Sequence, residues 1–256
     1  MFEMDYFSLE GKTAIVTGAG SAGGLCFAMA AALRAAGAKV VIWDVTQTLH
    51  EFVEGLGGEA AGYYAVRGDL TDAAEREKGF ADALEKLGGR LDILVNGAGI
   101  QYREAAADFP ADRWEKIIDV NLSSLFFLSQ LAGRHMIANG SGKIINVASM
   151  TSFVASRLIV AYAASKGGVA QMTKALSNEW AGKGVNVNAI APGYMITELT
   201  KNLVDTEQGQ MHTRRIPAGR WGTGEDLKGT IVFLASRASD YVDGAIIPVD
   251  GGYLGA

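Results

Sequence analysis

The chain reads as an α/β protein: a doubly wound parallel sheet of about seven strands with helices on both faces. Three observations predict this. Seven short runs rich in Val and Ile recur along the 256 residues, longer stretches of helical period separate them, and a glycine cluster stands between the first strand and the first helix. A continuous apolar run of four to eight residues suits a strand covered on both faces, and strands alternating with helices build a parallel sheet with right-handed crossovers.

The strands are predicted at TAIVTG (13–18), AKVVIWD (38–44), AGYYAV (61–66), LDILVNGAG (91–99), GKIINVAS (142–149), VNVNAIAP (185–192) and AIIPVD (245–250). Helical periods fall at 23–36, 47–56, 72–87, 110–138, 161–181 and 224–235. Pro110, with Asp108 just upstream, suits a helix start, and Gly37 stands where a left-handed C-cap closes the first helix. No Pro/Ser-rich linker or charge run divides the chain, so residues 1–256 are read as one domain. The stretch at about 194–220 is long and mixed in polarity and follows a strand end, where a substrate loop would sit.

Composition narrows the partners. A net charge of −5 and the absence of a Lys/Arg cluster argue against nucleic acid or an anionic membrane and favour a small molecule. The acidic N-terminal stretch has no basic n-region and no apolar h-region, and Arg34 interrupts the longest early apolar run, so a cytoplasmic protein is expected. The single cysteine, Cys26, excludes an internal disulfide and reads as a small core residue. His50, His135 and His212 show no ligand spacing, and no metal is expected. Glycine is in excess, at 33 residues, which calls for tight turns and close backbone approaches.

The glycine cluster carries the first chemical signal. After Thr17 and Gly18 come Ala19, Gly20, Ser21, Ala22, Gly23 and Gly24, opening an Ala-rich helix. Small residues there let the backbone approach a pyrophosphate, and the helix N-terminus offers free N–H groups and partial positive charge. Asp44, at the end of the second strand, has the spacing to accept hydrogen bonds from the adenosine ribose and would repel a 2′-phosphate. No cation in Ser21 or Val45–Gln47 offsets it, so NAD(H) is preferred over NADP(H). Asp69 and Leu70 follow the third strand, where the adenine edge would be met, and Asn96, Gly97, Ala98 and Gly99 let backbone lie against the ribose.

The second signal is Tyr162 and Lys166, four residues apart and so on one face of a helix. A tyrosine acting near neutrality needs its pKa lowered by roughly three units, about 4 kcal/mol. One cation at ~4 Å supplies about that at an effective dielectric of ~20, so Lys166 is expected to activate Tyr162. Ser149 ends the fifth strand, where a hydroxyl could hold the substrate oxygen. Asn121 lies in the preceding long helix, its amide placed to hold a water leading protons to Lys166. Pro192 and Gly193 end the sixth strand, with Met195 and then Thr197 at the distance for a nicotinamide carboxamide.

TGAGSAGG, NGAG, Asn121, Ser149, YAASK and PGYMIT, in this order over nearly the whole chain, resemble the short-chain dehydrogenase/reductase family. The resemblance implies a Rossmann-type fold with a seven-stranded sheet, an Asn-Ser-Tyr-Lys tetrad at Asn121, Ser149, Tyr162 and Lys166, a bond from Lys166 to the nicotinamide ribose, and a homotetramer built through the long helices and the C-terminal region. Two departures stand out. Ala22 and Gly23 replace the family's usual glycine and its Ile or Leu, and Gly97 replaces an Asn, which should remove a side chain from the adenosine side.

Within the family, FSLEGK (7–12), GKIINVASM (142–150), NEWA (178–181), NVNAIAPGYM (186–195), IPAGRWG (216–222) and FLASRASDYVDG (233–244) resemble the branch acting on gluconate and keto-deoxy-gluconate. An anionic substrate needs a cation, and Arg103, Arg157, Arg214 and Arg215 follow strand ends or lie in the substrate loop; Arg103 or Arg157 is expected to take the carboxylate. A broad-specificity ketone or 3-oxoacyl reductase with the same tetrad stays open beside this reading. So does a non-catalytic NAD(H)-binding sensor, against which the intact tetrad weighs.

Overall fold

The computed structural model describes residues 4–198 and 200–256. Seven strands form one sheet in the order β3-β2-β1-β4-β5-β6-β7. They are β1 (Thr13–Thr17), β2 (Lys39–Asp44), β3 (Tyr63–Arg67), β4 (Ile93–Asn96), β5 (Gly142–Val147), β6 (Val185–Pro192) and β7 (Ile246–Val249). Every pairing is parallel, so all carboxyl ends share one edge.

The period of two along each strand sorts its side chains into two cores. Ala14, Val16, Val40 and Ile42 pack under α1 (Leu25–Ala35), α2 (Leu49–Gly55) and α8 (Glu225–Ala235). Ile15, Val41, Trp43 and Leu94 pack under α3 (Ala73–Lys86), α5 (Ser124–Ala138) and α6 (Val160–Trp180). Both faces are covered, which is why the strands are apolar throughout. The chain winds from β1 out to β3 and returns to β4 beside β1. That reversal opens a crevice at the carboxyl ends of β1 and β4, where ligands of open α/β sheets bind.

Two elements differ from the sequence expectation. The helix expected across 110–138 is α4 (Ala111–Ile118), then a π turn at Asp119–Ser123, then α5. The widened turn falls on Asn121, whose amide is bonded across to the main chain of Ile100, and π turns of this kind gather at functional sites. The expected substrate loop also contains a short helix, α7 (Glu207–Thr213), capped by the Thr206 hydroxyl accepting from the Gly209 N–H. Among the described residues, no helix is long and apolar enough to cross a membrane.

Candidate active site

At the end of β1 the chain turns through Gly18, with φ at 72°, and enters α1 at Leu25 with no side-chain cap on its N-terminus. The first-turn N–H groups therefore have no side-chain acceptor, the condition for holding a phosphate. Gly18 is the only residue of the loop with positive φ, so Ala22 fits without strain. A Cβ at Gly18 would sit 2.7 Å from Ala98 Cα, which shows how closely the loops after β1 and β4 approach. Thr17 stitches them together: its Oγ1 accepts the Gly97 N–H at 3.0 Å and the Ala98 N–H at 3.2 Å. Sequence reasoning passed over Thr17, whose only signal was a hydroxyl at the last position of the strand.

Asp44 faces this loop. Its Oδ2 accepts the Gly20 N–H at 2.9 Å, and its Oδ1 accepts both the N–H and the hydroxyl of Thr46. A Cβ at Gly20 would lie 2.7 Å from the Asp44 carboxyl carbon, so the glycine is what lets the acid close on the loop. Asp69 accepts from the N–H and hydroxyl of Thr71. Burial pushes its pKa up, but these donors and Lys116 pull harder and leave it below the usual value. Leu70 is buried, and its carbonyl takes a bond from the Arg76 guanidinium.

The departures from the family loop have steric causes. A Cβ at Gly23 would come within 3.1 Å of Glu198 Cγ, so the glycine makes room for the segment after β6. At Gly97 a Cβ would meet Cys26 Sγ at 2.4 Å and the Thr17 carbonyl oxygen at 2.8 Å. The missing side chain thus points inward at α1 and β1, which corrects the expectation of a gap on the adenosine side. Asn96 also points inward: its Nδ2 donates to Ser129 and to Asn146, and its Oδ1 is buried with no hydrogen-bond partner.

The four residues expected to form a tetrad lie beyond β4 and β5. Lys166 is buried in α6 and donates from Nζ to the Val147 carbonyl at the end of β5, at 2.6 Å. A Cβ at Gly99 would be 3.4 Å from Asn121 Oδ1 and 3.7 Å from Lys166 Nζ, so the NGAG loop presses against both. Ser149 accepts the Thr151 N–H at 3.1 Å, which fixes its hydroxyl oxygen, and the hydroxyl acts on the Tyr162 phenol to favour its ionised form. The Asn121 amide is already engaged: it accepts the Ile100 N–H and donates to the Ile100 carbonyl and to Ser165 Oγ. It braces the loop after β4 against α6 and is not free to hold a water in the way the sequence suggested.

The electrostatics also differ from expectation. Burial raises the Tyr162 pKa, with Ser149 offsetting part of the rise, and burial lowers Lys166 to about 8. The ammonium leans on Val147 with its Nζ 5.8 Å from the centre of the Tyr162 ring, and it is not among the groups that stabilise the phenolate here. Desolvation acts on both charged forms at once, which spacing on a helix could not reveal.

The segment after β6 closes the site. Gly193 donates to the Val249 carbonyl, Met195 pairs with Gly222, and the Thr197 N–H donates to Thr200. Tyr194 stacks on His212 at 4.4 Å and lies 5.0 Å from Trp221 and 5.5 Å from Tyr253. This aromatic wall packs with Met150, the neighbour of Ser149. Arg103 and Arg157 sit on exposed loops joined by the Glu104 N–H donating to the Leu158 carbonyl at 2.9 Å.

A glycine-rich loop opening an uncapped helix, an acid closed on that loop and a Ser-Tyr-Lys group along one sheet edge suit a nicotinamide dinucleotide with a small substrate beside it, and define a dinucleotide-dependent oxidoreductase. The chain belongs to the short-chain dehydrogenase/reductase family; a family model described as Enoyl-(Acyl carrier protein) reductase matches residues 18–254. It is similar to the 2-dehydro-3-deoxy-D-gluconate 5-dehydrogenase of Bacillus subtilis (strain 168), with 49% identity over 98% of this chain and 97% of that one. Among solved structures, a putative gluconate dehydrogenase from Agrobacterium tumefaciens superposes with a TM-score of 0.93 at 40% identity, covering 98% of this chain and 99% of the other. A putative NAD(P) dependent gluconate 5-dehydrogenase from Beutenbergia cavernae, described with bound NADP, superposes with a TM-score of 0.89 at 45% identity over 98% and 100% of the two chains. The protein is an oxidoreductase interconverting an alcohol and a carbonyl with a nicotinamide cofactor.

Proposed function

We propose that this protein transfers a hydride between NAD(H) and a secondary alcohol or ketone of a sugar acid, of the gluconate or keto-deoxy-gluconate type. The observation that carries the reading is the Ser149–Tyr162–Lys166 group at the sheet edge, beside loops that hold arginines. The names of the similar proteins support the substrate class. Asn121, Ser149, Tyr162 and Lys166 act as the tetrad. Contacts to the dinucleotide come from Gly18, Ser21, Ala22, Gly23, Gly24, Asp44, Asp69, Leu70, Asn96, Ala98, Gly99, Tyr162, Lys166, Pro192, Gly193, Met195 and Thr197.

Bound there, the nicotinamide ring supplies the hydride donor or acceptor. Ser149 holds the substrate oxygen, and the Tyr162 phenol donates a proton to that oxygen in reduction or takes one in oxidation. Lys166 bonds the ribose and, with positive charge beside it, brings the phenol down from its raised pKa. With the Asn121 amide committed, a water serving Lys166 would lean on the main chain of the π turn. NAD(H) is preferred over NADP(H) because the Asp44 carboxylate, closed on Gly20, meets the place a 2′-phosphate would take. The NADP in the Beutenbergia relative makes this preference a point to measure.

Either Arg103 or Arg157 takes the substrate carboxylate. The chain works as one domain, 1–256, with the substrate loop at about 194–220, in the cytoplasm and as a homotetramer. Exposed Trp114 on α4 and Phe127 on α5 support the tetramer, and light scattering on the purified protein tests it. The deciding experiment is turnover of keto-deoxy sugar acids, acyl thioesters and simple ketones with NADH and with NADPH. Sugar-acid turnover is expected to dominate. Preference for thioesters or simple ketones would move the protein to the other reductases, and cofactor binding with no turnover would make it a sensor.

A further inference from the structure

The segment that carries α7 is clasped at its two ends: the Gly222 N–H donates to the Tyr194 carbonyl at 2.9 Å, and the Ile196 N–H donates to the Gly222 carbonyl at 2.8 Å. Of the seven residues of α7 only Gly209 is buried, so the helix is held to the body from its last turn. There His212 stacks on Tyr194 with the rings 22° from parallel, and the Thr213 hydroxyl accepts the Trp221 indole N–H at 2.9 Å. Tyr194 and Trp221 stand at the clasped ends, and the ring of Tyr194 is the seat on which α7 rests. The other side of that seat comes from the end of the chain. After β7, Asp250 folds the backbone into a turn, its Oδ1 accepting the Gly252 N–H and its Oδ2 the Leu254 N–H, both at 2.9 Å. The turn is wedged in place: a Cβ at Gly193 would lie 2.6 Å from Asp250 Cβ, and one at Gly251 would lie 2.7 Å from Ile216 Cγ2. The Ala218 N–H also donates to the Gly251 carbonyl at 3.0 Å. Gly251 and Gly252, with φ at 66° and 91°, turn the chain back so that Tyr253 enters the wall.

Tyr253 is 8% exposed. Its ring meets Tyr194 edge-on, 5.5 Å away at 71°, and the Arg215 guanidinium lies 4.7 Å over it. One buried cluster holds Tyr253 together with Met150, which follows Ser149, and with Ile216 and Trp221 from the far end of the clasped segment. We propose that Tyr253 is a positioning residue: its ring, and not its hydroxyl, holds the Tyr194 seat and the segment bearing α7 in the arrangement that receives the substrate. This rests on the substrate loop at about 194–220 and on no particular substrate. A flat ring locked between Tyr194 and Arg215 keeps the loop ordered before the substrate arrives, so less ordering remains to be done on binding. Removing it leaves α7 stacked on a tyrosine that has lost its backing, while Ser149, Tyr162 and Lys166 stay on β5 and α6.

The test uses whichever substrate the wild type turns over best. Tyr253→Ala is expected to raise its KM at least about tenfold while kcat changes less than about threefold. Cofactor affinity, read by fluorescence titration, is expected to stay within about twofold, because the loops after β1 and β2 are untouched. Tyr253→Phe keeps the ring and is expected to keep the wild-type KM. Tyr241→Ala, at a fully exposed ring, is the control and is expected to change nothing. Should Tyr253→Ala fail to fold, Tyr253→Leu, which fills the space without a flat ring, decides by the same rise in KM. A variant that unfolds at lower urea yet keeps the wild-type KM makes the ring a structural anchor and overturns the proposal. So does a KM that rises as far in Tyr253→Phe as in Tyr253→Ala. His212→Ala separates this proposal from the loop beneath it: if it raises KM and Tyr253→Ala does not, the positioning role alone falls, and if neither moves KM, the substrate loop falls as well.

Discussion

Lys166→Met should make the protein more stable near neutrality and nearly inactive. The lysine is 3% exposed, and its ammonium donates to the Val147 carbonyl. Burial moves its pKa from 10.5 to about 8. Below pH 8 the lysine is charged in both folded and unfolded chains, and the folded state bears the full cost, about 3 kcal/mol for a shift of that size. Between pH 8 and 10.5 the folded lysine has released its proton while the unfolded one keeps it. The unfolded state then binds more protons, and the wild type gains stability as pH rises through that window. A methionine of similar length avoids the cost and loses one hydrogen bond, about 1 kcal/mol. The variant is therefore expected to be more stable by ~2 kcal/mol at pH 7 and about equal at pH 10. Urea unfolding of the cofactor-free protein at the two pH values measures this, and other titrating groups cancel between variant and wild type. A variant less stable by the same amount at both pH values would refute the buried-charge argument.

Three further outcomes follow from the same geometry. Tyr162→Phe keeps the ring and removes the proton carrier, so turnover is expected to fall by at least ~10²-fold while cofactor binding, read by fluorescence titration, persists; substantial residual activity would contradict the proton-transfer role. Asp44→Asn keeps the acceptor for the Gly20 N–H and removes the charge, so the NADP(H)-to-NAD(H) ratio of kcat/KM should rise about tenfold; an unchanged ratio would mean that the carboxylate does not select the cofactor. Gly97→Ala forces a methyl against Cys26 Sγ and the Thr17 carbonyl and should cost ~1–3 kcal/mol. Adding Cys26→Ala should recover part of that cost, since only one of the two clashes is relieved; strictly additive effects in the double-mutant cycle would show that the pair is not in contact.

The strands and the Tyr162–Lys166 spacing were legible because each leaves a local mark. In β1, Ala14, Ile15 and Val16 are consecutive and all fully buried, and a strand covered on both faces must be apolar at every such position. Tyr162 and Lys166 stand one helical turn apart, so their pairing needed no tertiary knowledge. The uncapped start of α1 was likewise visible as a run of small residues with no capping side chain. What escaped depends on contacts between segments distant in the chain. The π turn exists where Asn121 reaches Ile100, 21 positions away, and nothing in the helix itself announces it.

The same reasoning explains the error about Tyr162. A four-residue spacing brings an ammonium near a phenol, but the sign of the resulting shift depends on what else surrounds them. Here the sheet edge, α6 and the loop after β4 exclude water from both groups, and the Val147 carbonyl draws the ammonium to itself. Burial then dominates, raising the phenol and lowering the ammonium together. On the proposed function, a phenol that burial keeps from ionising becomes competent when positive charge arrives next to it, which would link proton transfer to occupancy of the dinucleotide crevice. The pH profile of Tyr162 in the working enzyme should accordingly lie well below the value that burial alone would set, and the Lys166→Met variant should shift that profile upward.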